Sequence, residues 1–390
     1  MGNCRCEYVR DNELRNICCD MNVENSTYSI PKVRSNPKPI ENNIVKILDE
    51  SNSKIKINLE SKIPSFGKKI QKSELNALVS SKIINYIQTH SLNYQEYTNN
   101  KTYQYGPIQF KNGNIYSGSW NNECQMEGYG LFLIRKKNIV SDGIWSKGDI
   151  IYGRIFFPND DMYEGDLHDS LPHGYGNLFF ANGEIYKGEF FNGEIKGRGT
   201  YIYSDKTCFT GEIKNGTYEG KGSMKWGNGT EYHGTFSEST LSGKGKMFNN
   251  NLGEKYIGNF YKNEFHGKGI YTYKNGDYYD GDFEYGIKRG TGKFVINDKY
   301  IFDGIWDDDY PNANGTLTYE DNKIEGFWRN GFIVGKPHII EGKNENFVGV
   351  CLDIRPKKGA LLPSSLPHLA INDTENDIST YEPEEKLGFI

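Results

Sequence analysis

Between Tyr103 and Gly349 one short pattern is written over and over, and it constrains the fold more than any other feature of the chain. Its first half reads aromatic, any residue, glycine, any residue, then Trp, Phe or an aliphatic. Clear copies run Tyr116 to Trp120, Tyr186 to Phe190, Tyr256 to Phe260 and Tyr279 to Phe283. The central glycine recurs at 118, 143, 165, 188, 211, 234, 258, 281, 304, 326 and 349, mostly 22 or 23 residues apart. A second half, Gly-x-Gly, follows at 128/130, 174/176, 197/199, 220/222, 243/245, 267/269 and 290/292. A period held this long makes the array, not any single segment, the folding unit.

Within a copy the alternation has period two. In Tyr163-Glu164-Gly165-Asp166-Leu167 the Tyr, Gly and Leu share one face and the two acids share the other. The second half, as in Thr200 to Tyr203, also reads as a strand. Turn signals such as Asn112-Gly113, Asn182-Gly183, Asn215-Gly216 and Asn275-Gly276 separate the strands. Each period is therefore a β-hairpin, marginal alone and stable when stacked on its neighbours. Composition agrees: 28 Tyr, 21 Phe and 45 Gly in a chain only 36% hydrophobic suit short strands and tight turns, not a thick aliphatic core. The predicted fold is mainly β, an elongated single-layer antiparallel ribbon of about eleven hairpins, roughly 100 Å long at ~4.8 Å per strand.

Tyr-x-Gly-x-Phe/Trp, Gly-x-Gly and Asn-Gly at a 23-residue period resemble the MORN repeat family, across roughly residues 103–350. The copy Ser141 to Trp145 lacks the following Gly-x-Gly, which suits a bend near residue 150. The copies at Ile324 and Phe347 lose the tyrosine, which suits a terminal cap. The resemblance implies a non-enzymatic scaffold that presents a groove to partner proteins. It also implies work at a membrane–cytoskeleton junction, such as a pellicle, a division structure or a cilium. It allows two copies to pair as a homodimer through the last repeats near Trp328. Some relatives append a kinase or methyltransferase domain; residues 351–390 are too few for either.

The ends read differently. Residues 1–30 open Met1-Gly2-Asn3-Cys4-Arg5-Cys6, in which Gly2 is a candidate for myristoylation and Cys4 and Cys6 for palmitoylation. One acyl chain holds a membrane marginally and two hold it stably. Zinc is a weaker reading of Cys4, Cys6, Cys18 and Cys19, because no histidine lies near and the spacing fits no common finger. Residues 31–72 have linker composition, and Pro31 to Lys82 holds eleven Lys/Arg against five Asp/Glu, enough to attract an anionic leaflet or simply to stay solvated. Residues 73–90 predict one amphipathic helix capped by Ser73, with Leu75, Leu78, Val79, Ile83 and Ile87 on one face. That face either caps the start of the sheet or binds a partner. Residues 351–390 predict a C-terminal cap followed by an acidic, disordered tail. Sparse, uneven cysteines imply a reducing compartment. The implied location is the cytosolic face of a membrane, either the plasma membrane or a pellicle with its inner membrane complex.

No arrangement of catalytic residues is legible. The histidines at 90, 168, 173, 233, 266, 338 and 368 lack metal-ligand spacing, and no nucleophile motif occurs. Neither enzyme activity, a metal, a cofactor nor nucleic-acid binding is expected. One feature exceeds the repeat pattern: Arg198, Lys221, Lys244 and Lys268 occupy the middle of four successive Gly-x-Gly units. Stacked, they form a column of cations about 10 Å apart, able to meet acidic phospholipids or an acidic partner. Glu189, Glu212 and Asp282 nearby offer cross-strand pairing instead. Two alternatives to the protein-binding scaffold therefore stay open: a phosphoinositide-reading module and a regulatory subunit of an enzyme.

Overall fold

The computed structural model describes residues 67–92, 102–319 and 322–341. Gly2, Cys4, Cys6, most of the basic linker, the copy around Gly349 and the acidic tail lie outside the described residues. Strand β1 (Gly67–Lys69) comes first, then helices α1 (Lys72–Leu78) and α2 (Ser81–Thr89). The array opens with β2 (Tyr103–Gln104), β3 (Ile108–Phe110), β4 (Ile115–Trp120), β5 (Met126–Ile134), β6 (Ile139–Ser146) and β7 (Asp149–Phe156). It continues with β8 (Met162–His168), β9 (Leu171–Phe179), β10 (Ile185–Phe191), β11 (Glu194–Ile202), β12 (Cys208–Lys214) and β13 (Thr217–Lys225). Next come β14 (Thr230–Ser237), β15 (Thr240–Asn249), β16 (Glu254–Tyr261), β17 (Glu264–Thr272), β18 (Tyr278–Glu284) and β19 (Ile287–Ile296). The last are β20 (Tyr300–Asp307), β21 (Tyr310–Tyr319), β22 (Asn322–Arg329) and β23 (Phe332–Glu341).

From β4 onward every strand pairs antiparallel with the next in sequence, so the array is one open meander. The pairs β4/β5 to β22/β23 make ten hairpins among the described residues. At the first edge β2 and β3 both pair with β4, and β1 pairs with β3.

One rung fixes the register. Each strand from β4 to β22 places a glycine opposite the glycines of its neighbours, from Gly118↔Gly130 to Gly315↔Gly326. The copy near residue 150 keeps its rung glycine, Gly153, and loses only the other one. The reason for glycine is the tyrosine two residues before it. The Tyr186 ring lies across the Gly188–Gly199 pair, and a Cβ at Gly199 would stand 2.4 Å from that ring. The tyrosine hydroxyl then donates to the carbonyl three residues on, as in Tyr186 to Glu189 (3.0 Å), Tyr232 to Thr235 (2.9 Å) and Tyr279 to Asp282 (3.0 Å). Phe209 and Phe302 occupy the same place without that bond.

Edge-to-face rings join copy to copy. Tyr279 meets Phe283 of its own strand at 5.1 Å and Trp306 of the next copy at 5.0 Å. The same two contacts recur for Tyr232 with Phe236 and Phe260, and for Tyr256 with Phe260 and Phe283. Such pairs contribute about 0.5–1.5 kcal/mol each beyond area burial. The result is one continuous buried cluster from Ile108 to Trp328.

The first glycine of each Gly-x-Gly serves the backbone. It sits beside a register shift with positive φ, for example +64° at Gly220, Gly243 and Gly267. This is a β-bulge, where glycine costs least; in β21 that place falls to Ala313 at φ 60°.

The helix region departs from expectation in three ways. One helix over 73–90 becomes two, because Val79 and Ser80 are extended and Ser80 caps α2 by accepting from the Lys82 N–H (3.3 Å). Gln71, not Ser73, caps α1, with Glu74 Oε1 accepting from the Gln71 N–H (3.4 Å). The single-layered sheet also carries a covering helical layer here. Leu75 and Val79 are buried with Ile115, Leu133, Val140, Phe156 and Met162, which alternate with the aromatic residues and so lie on the reverse face. The apolar helix face is thus spent on the sheet, which removes it as a partner-binding surface. The end of the expected linker is ordered too, since Gly67–Lys69 form β1 and Ile70 is buried.

Candidate interaction surface

The aromatic face is core, not an open groove. Tyr116, Tyr163, Tyr186, Tyr232, Tyr256, Tyr279, Phe302 and Trp328 are all 2% exposed or less. What faces outward is the reverse side, and its rows follow from strand alternation.

Under α2 the reverse face carries a buried ionic cluster. Arg154 donates to Glu164 Oε2 (2.8 Å), approaches Asp142 Oδ2 (3.4 Å) and donates to the His90 carbonyl at the end of α2 (2.6 Å). Its guanidinium also lies 5.4 Å from the Tyr86 ring, and Tyr129 donates to Asp142. Asp142 is fully buried. Burial pushes its carboxyl above the usual carboxylate range, against the pull of the Tyr129 hydrogen bond and the Arg154 charge. The cluster fastens the helix layer to the sheet.

Past the helices the four predicted cations fall in one row, each on a strand opposite a non-basic residue: Arg198↔Glu212, Lys221↔Thr235, Lys244↔Asn259 and Lys268↔Asp282. They do not form an uninterrupted column of free charge. Lys268 Nζ donates to Asp282 Oδ2 (2.8 Å) and to Thr291 (3.2 Å). Lys221 and Lys244 have no ion-pair partner among the described residues. The acids of the row have backbone work that spacing alone did not reveal. Three of them accept the N–H that follows a bulge glycine: Asp166 from Tyr175 (3.1 Å), Glu189 from Arg198 (3.2 Å), Asp282 from Thr291 (3.0 Å). Burial opposes ionisation of Asp282, yet Lys268 and Thr291 outweigh it and hold its carboxyl below the ordinary range.

Aromatics the repeat pattern did not single out also face outward. Tyr175, Phe191, Tyr261 and Tyr285 are 65%, 49%, 42% and 55% exposed. His173 lies 5.2 Å from the Phe191 ring, and His266 lies 5.5 Å from Tyr261 and 5.2 Å from Tyr285. Phe191 and Tyr261 directly follow the core residues Phe190 and Phe260, so alternation puts them on the reverse face.

One charge sits in the aromatic core. Lys288 takes the place filled by Ile195, Tyr218, Leu241 and Phe265 in preceding copies. Its ammonium donates to the Tyr273 hydroxyl (2.9 Å), lies 3.7 Å from Asp309 Oδ1, and stands 5.4–5.9 Å from the rings of Tyr273, Tyr279, Phe294 and Trp306. Burial lowers its pKa to about 8 against the pull of Asp309. Among the described residues no group of three or more His, Cys, Asp or Glu is placed to hold a metal ion. No described helix is long and apolar enough to cross a membrane.

No curated protein matches the chain. Among solved structures it is similar to the TCP domain of SAS-4 from Drosophila melanogaster, in complex with a proline-rich motif of Ana2, at 16% identity and a TM-score of 0.25, covering 38% of this chain and 79% of that one. It is similar to the TCP10 domain of Danio rerio CPAP, in complex with a STIL peptide, at 14% identity and a TM-score of 0.29, covering 56% and 93%. With overlaps this low, the functional reading rests on the repeats and the surface. Seven segments match the profile of the MORN repeat: 163–185, 186–208, 209–231, 256–278, 279–299, 302–323 and 325–336. The match supports, for residues 163–336, the MORN repeat family that the tyrosine–glycine pattern resembles.

Proposed function

We propose that the chain is a non-enzymatic scaffold, held on the cytosolic face of a membrane by acyl chains on Gly2, Cys4 and Cys6. The repeats display their reverse face to protein partners, at a membrane–cytoskeleton junction, a pellicle or a division structure. The observation that carries this reading is the division of labour between the two faces. The aromatic face closes on itself as core, while beyond the helices the other face keeps Tyr175, Phe191 and Tyr261 exposed on a hydrogen-bonded frame. Exposed aromatics on a rigid support are the usual anchors of protein interfaces. The anchor is tested by imaging the tagged protein beside its Gly2→Ala and Cys4→Ser/Cys6→Ser forms. Release to the cytosol is expected, and persistent membrane residence of both variants would overturn the reading.

A second reading, recognition of anionic lipid by the repeats, keeps support from Lys221 and Lys244. Lys268 contributes less to it, because Asp282 already neutralises that charge. Binding of residues 100–353 to phosphoinositide liposomes should fall when Lys221 and Lys244 become glutamine. Unchanged binding would remove lipid reading from the repeats.

A further inference from the structure

The level of the reverse face that carries the cation row is not uniform in charge. Facing positions there hold an acid on β8, β10, β12 and β18, as Asp166, Glu189, Glu212 and Asp282, but a neutral Thr235 on β14 and Asn259 on β16. The three acids of β13 to β16 lie off this level and are engaged elsewhere. Glu219 accepts from the Glu238 N–H (2.9 Å), Glu231 is paired with Lys225 (2.9 Å), and Glu254 accepts from the Tyr271 hydroxyl (2.9 Å). Into this acid-free window project Lys221 and Lys244, joined at the next level by Lys246 opposite His233. All four are exposed, and among the described residues none of the three lysines has an ion-pair partner. Like charges gathered on neighbouring strands repel, and an anionic ligand relieves that repulsion.

We propose that this window binds an acidic, extended segment of a partner protein, laid along the ribbon with a carboxylate at every third residue. The inference rests on the reading that the reverse face takes protein partners. Strand spacing selects the conformation. The cations stand on alternate strands, two spacings or ~9.6 Å apart. A polyproline II helix has three residues per turn at ~3.1 Å each, so every third side chain returns to one side after ~9.3 Å. A β-strand returns every ~6.8 Å, and an α-helix every ~10.5 Å, with a drift of ~20° per heptad. Over the ~29 Å from Arg198 to Lys268 the polyproline II repeat stays within ~1 Å of the row, whereas the heptad overruns it by ~3 Å. Charge selects the same form, because a chain of like charges repels itself and extends. The row also favours a periodic ligand over a flat anionic surface. Either side of the window cations alternate with Glu212 and Asp282, strand by strand. A uniformly anionic surface meets both signs there, while a ligand charged at every third residue meets only the cations.

Two fluorescein-labelled peptides of identical composition supply the probe. Both carry glutamates among serines and threonines, at every third position in one and at every second position in the other, so their net charge is the same. In fluorescence anisotropy the full chain is expected to bind the first about fivefold more tightly, the sum of two exposed ion pairs of ordinary strength. Lys221→Gln/Lys244→Gln/Lys246→Gln should abolish that preference, with far-UV circular dichroism as the folding control. Lys111→Gln/Lys136→Gln/Lys206→Gln removes the same charge from exposed loop positions and should keep it. Equal affinity for the two peptides would overturn the proposal and leave the protein-binding reading of the reverse face standing. Failure of both peptides to bind would overturn it as well, and phosphoinositide vesicles held by the same three lysines would then take this face from protein to lipid.

Discussion

Lys288 shows what one residue can do inside an otherwise uniform core. Its burial among four rings with a single carboxylate at 3.7 Å leaves the ammonium under-solvated, and its pKa falls from the usual lysine value to about 8. The folded chain therefore sheds this proton at lower pH than the unfolded chain does. Between about pH 8 and 10 the unfolded state binds more protons, and stability rises with pH. Above pH 10 the sign reverses. Burial holds Tyr203 and Tyr232 up at about 12, so the unfolded tyrosines ionise first and stability falls. Replacing Lys288 with Met, which resembles the core residues of neighbouring copies, should stabilise the protein at pH 7 by about 3 kcal/mol, the shift converted at 1.36 kcal/mol per pH unit. It should also abolish the rise between pH 8 and 10. Urea denaturation of both chains at pH 7, 9 and 11 checks this; a destabilised methionine variant would mean that the ion pair and ring contacts outweigh desolvation. Nothing local marks this residue, because Ile287-Lys288-Arg289 looks like a solvated charge run until the register places Lys288 opposite Phe283. The glycine rung was legible in the sequence, since its spacing repeats and only glycine tolerates the overlying tyrosine ring.

Among elements, the tight turns were harder to read than the strands. Among the described residues nine two-residue turns connect the halves of the copies with positive φ at both positions, yet only Lys147-Gly148, Asn192-Gly193, Asn215-Gly216, Tyr285-Gly286 and Asn330-Gly331 contain glycine. In Glu238-Ser239, Lys262-Asn263 and Asp308-Asp309 a side chain replaces it for a reason outside the turn. Ser239, Asn263 and Asp309 accept the backbone N–H of Tyr218 (3.0 Å), Leu241 (2.7 Å) and Lys288 (2.9 Å), each in the preceding copy. Such a tertiary bond has no local signature. The helix break at Val79–Ser80 was hidden similarly, because the apolar spacing runs on across it. Arg154 fastens that region. Arg154→Ala should strand the fully buried Asp142 without a cation and destabilise the helix layer by about 3–5 kcal/mol. In guanidinium titrations α1 and α2 should then melt ahead of the sheet, seen as an early loss of helical ellipticity. A single coincident transition at unchanged midpoint would show that the cluster does not hold the layer.

For the whole molecule, the described array behaves as a stack in which each strand pairs only with its neighbours, so the stability of the sheet is a sum over copies and their interfaces. Such an array should accept the loss of a whole period and reject the loss of a fraction. Removing residues 209–231 joins Cys208 to Tyr232, sets Gly234 opposite Gly199, and lets Tyr232 lie where Phe209 lay; rung, ring and bulge remain in phase. Removing residues 209–230 instead puts Glu231 in the ring position. Every following side chain of that strand then turns to the opposite face, with Tyr232 on the reverse side and the Gly199 rung unmatched. The first deletion should keep a cooperative thermal transition within a few degrees of the parent, about the 2–4 °C per kcal/mol expected at this size. The second should lose cooperativity across the neighbouring copies, with near-UV ellipticity decaying before far-UV. If the two deletions melted alike, the glycine rung would not be what sets register, and the 23-residue period would reflect turn spacing alone.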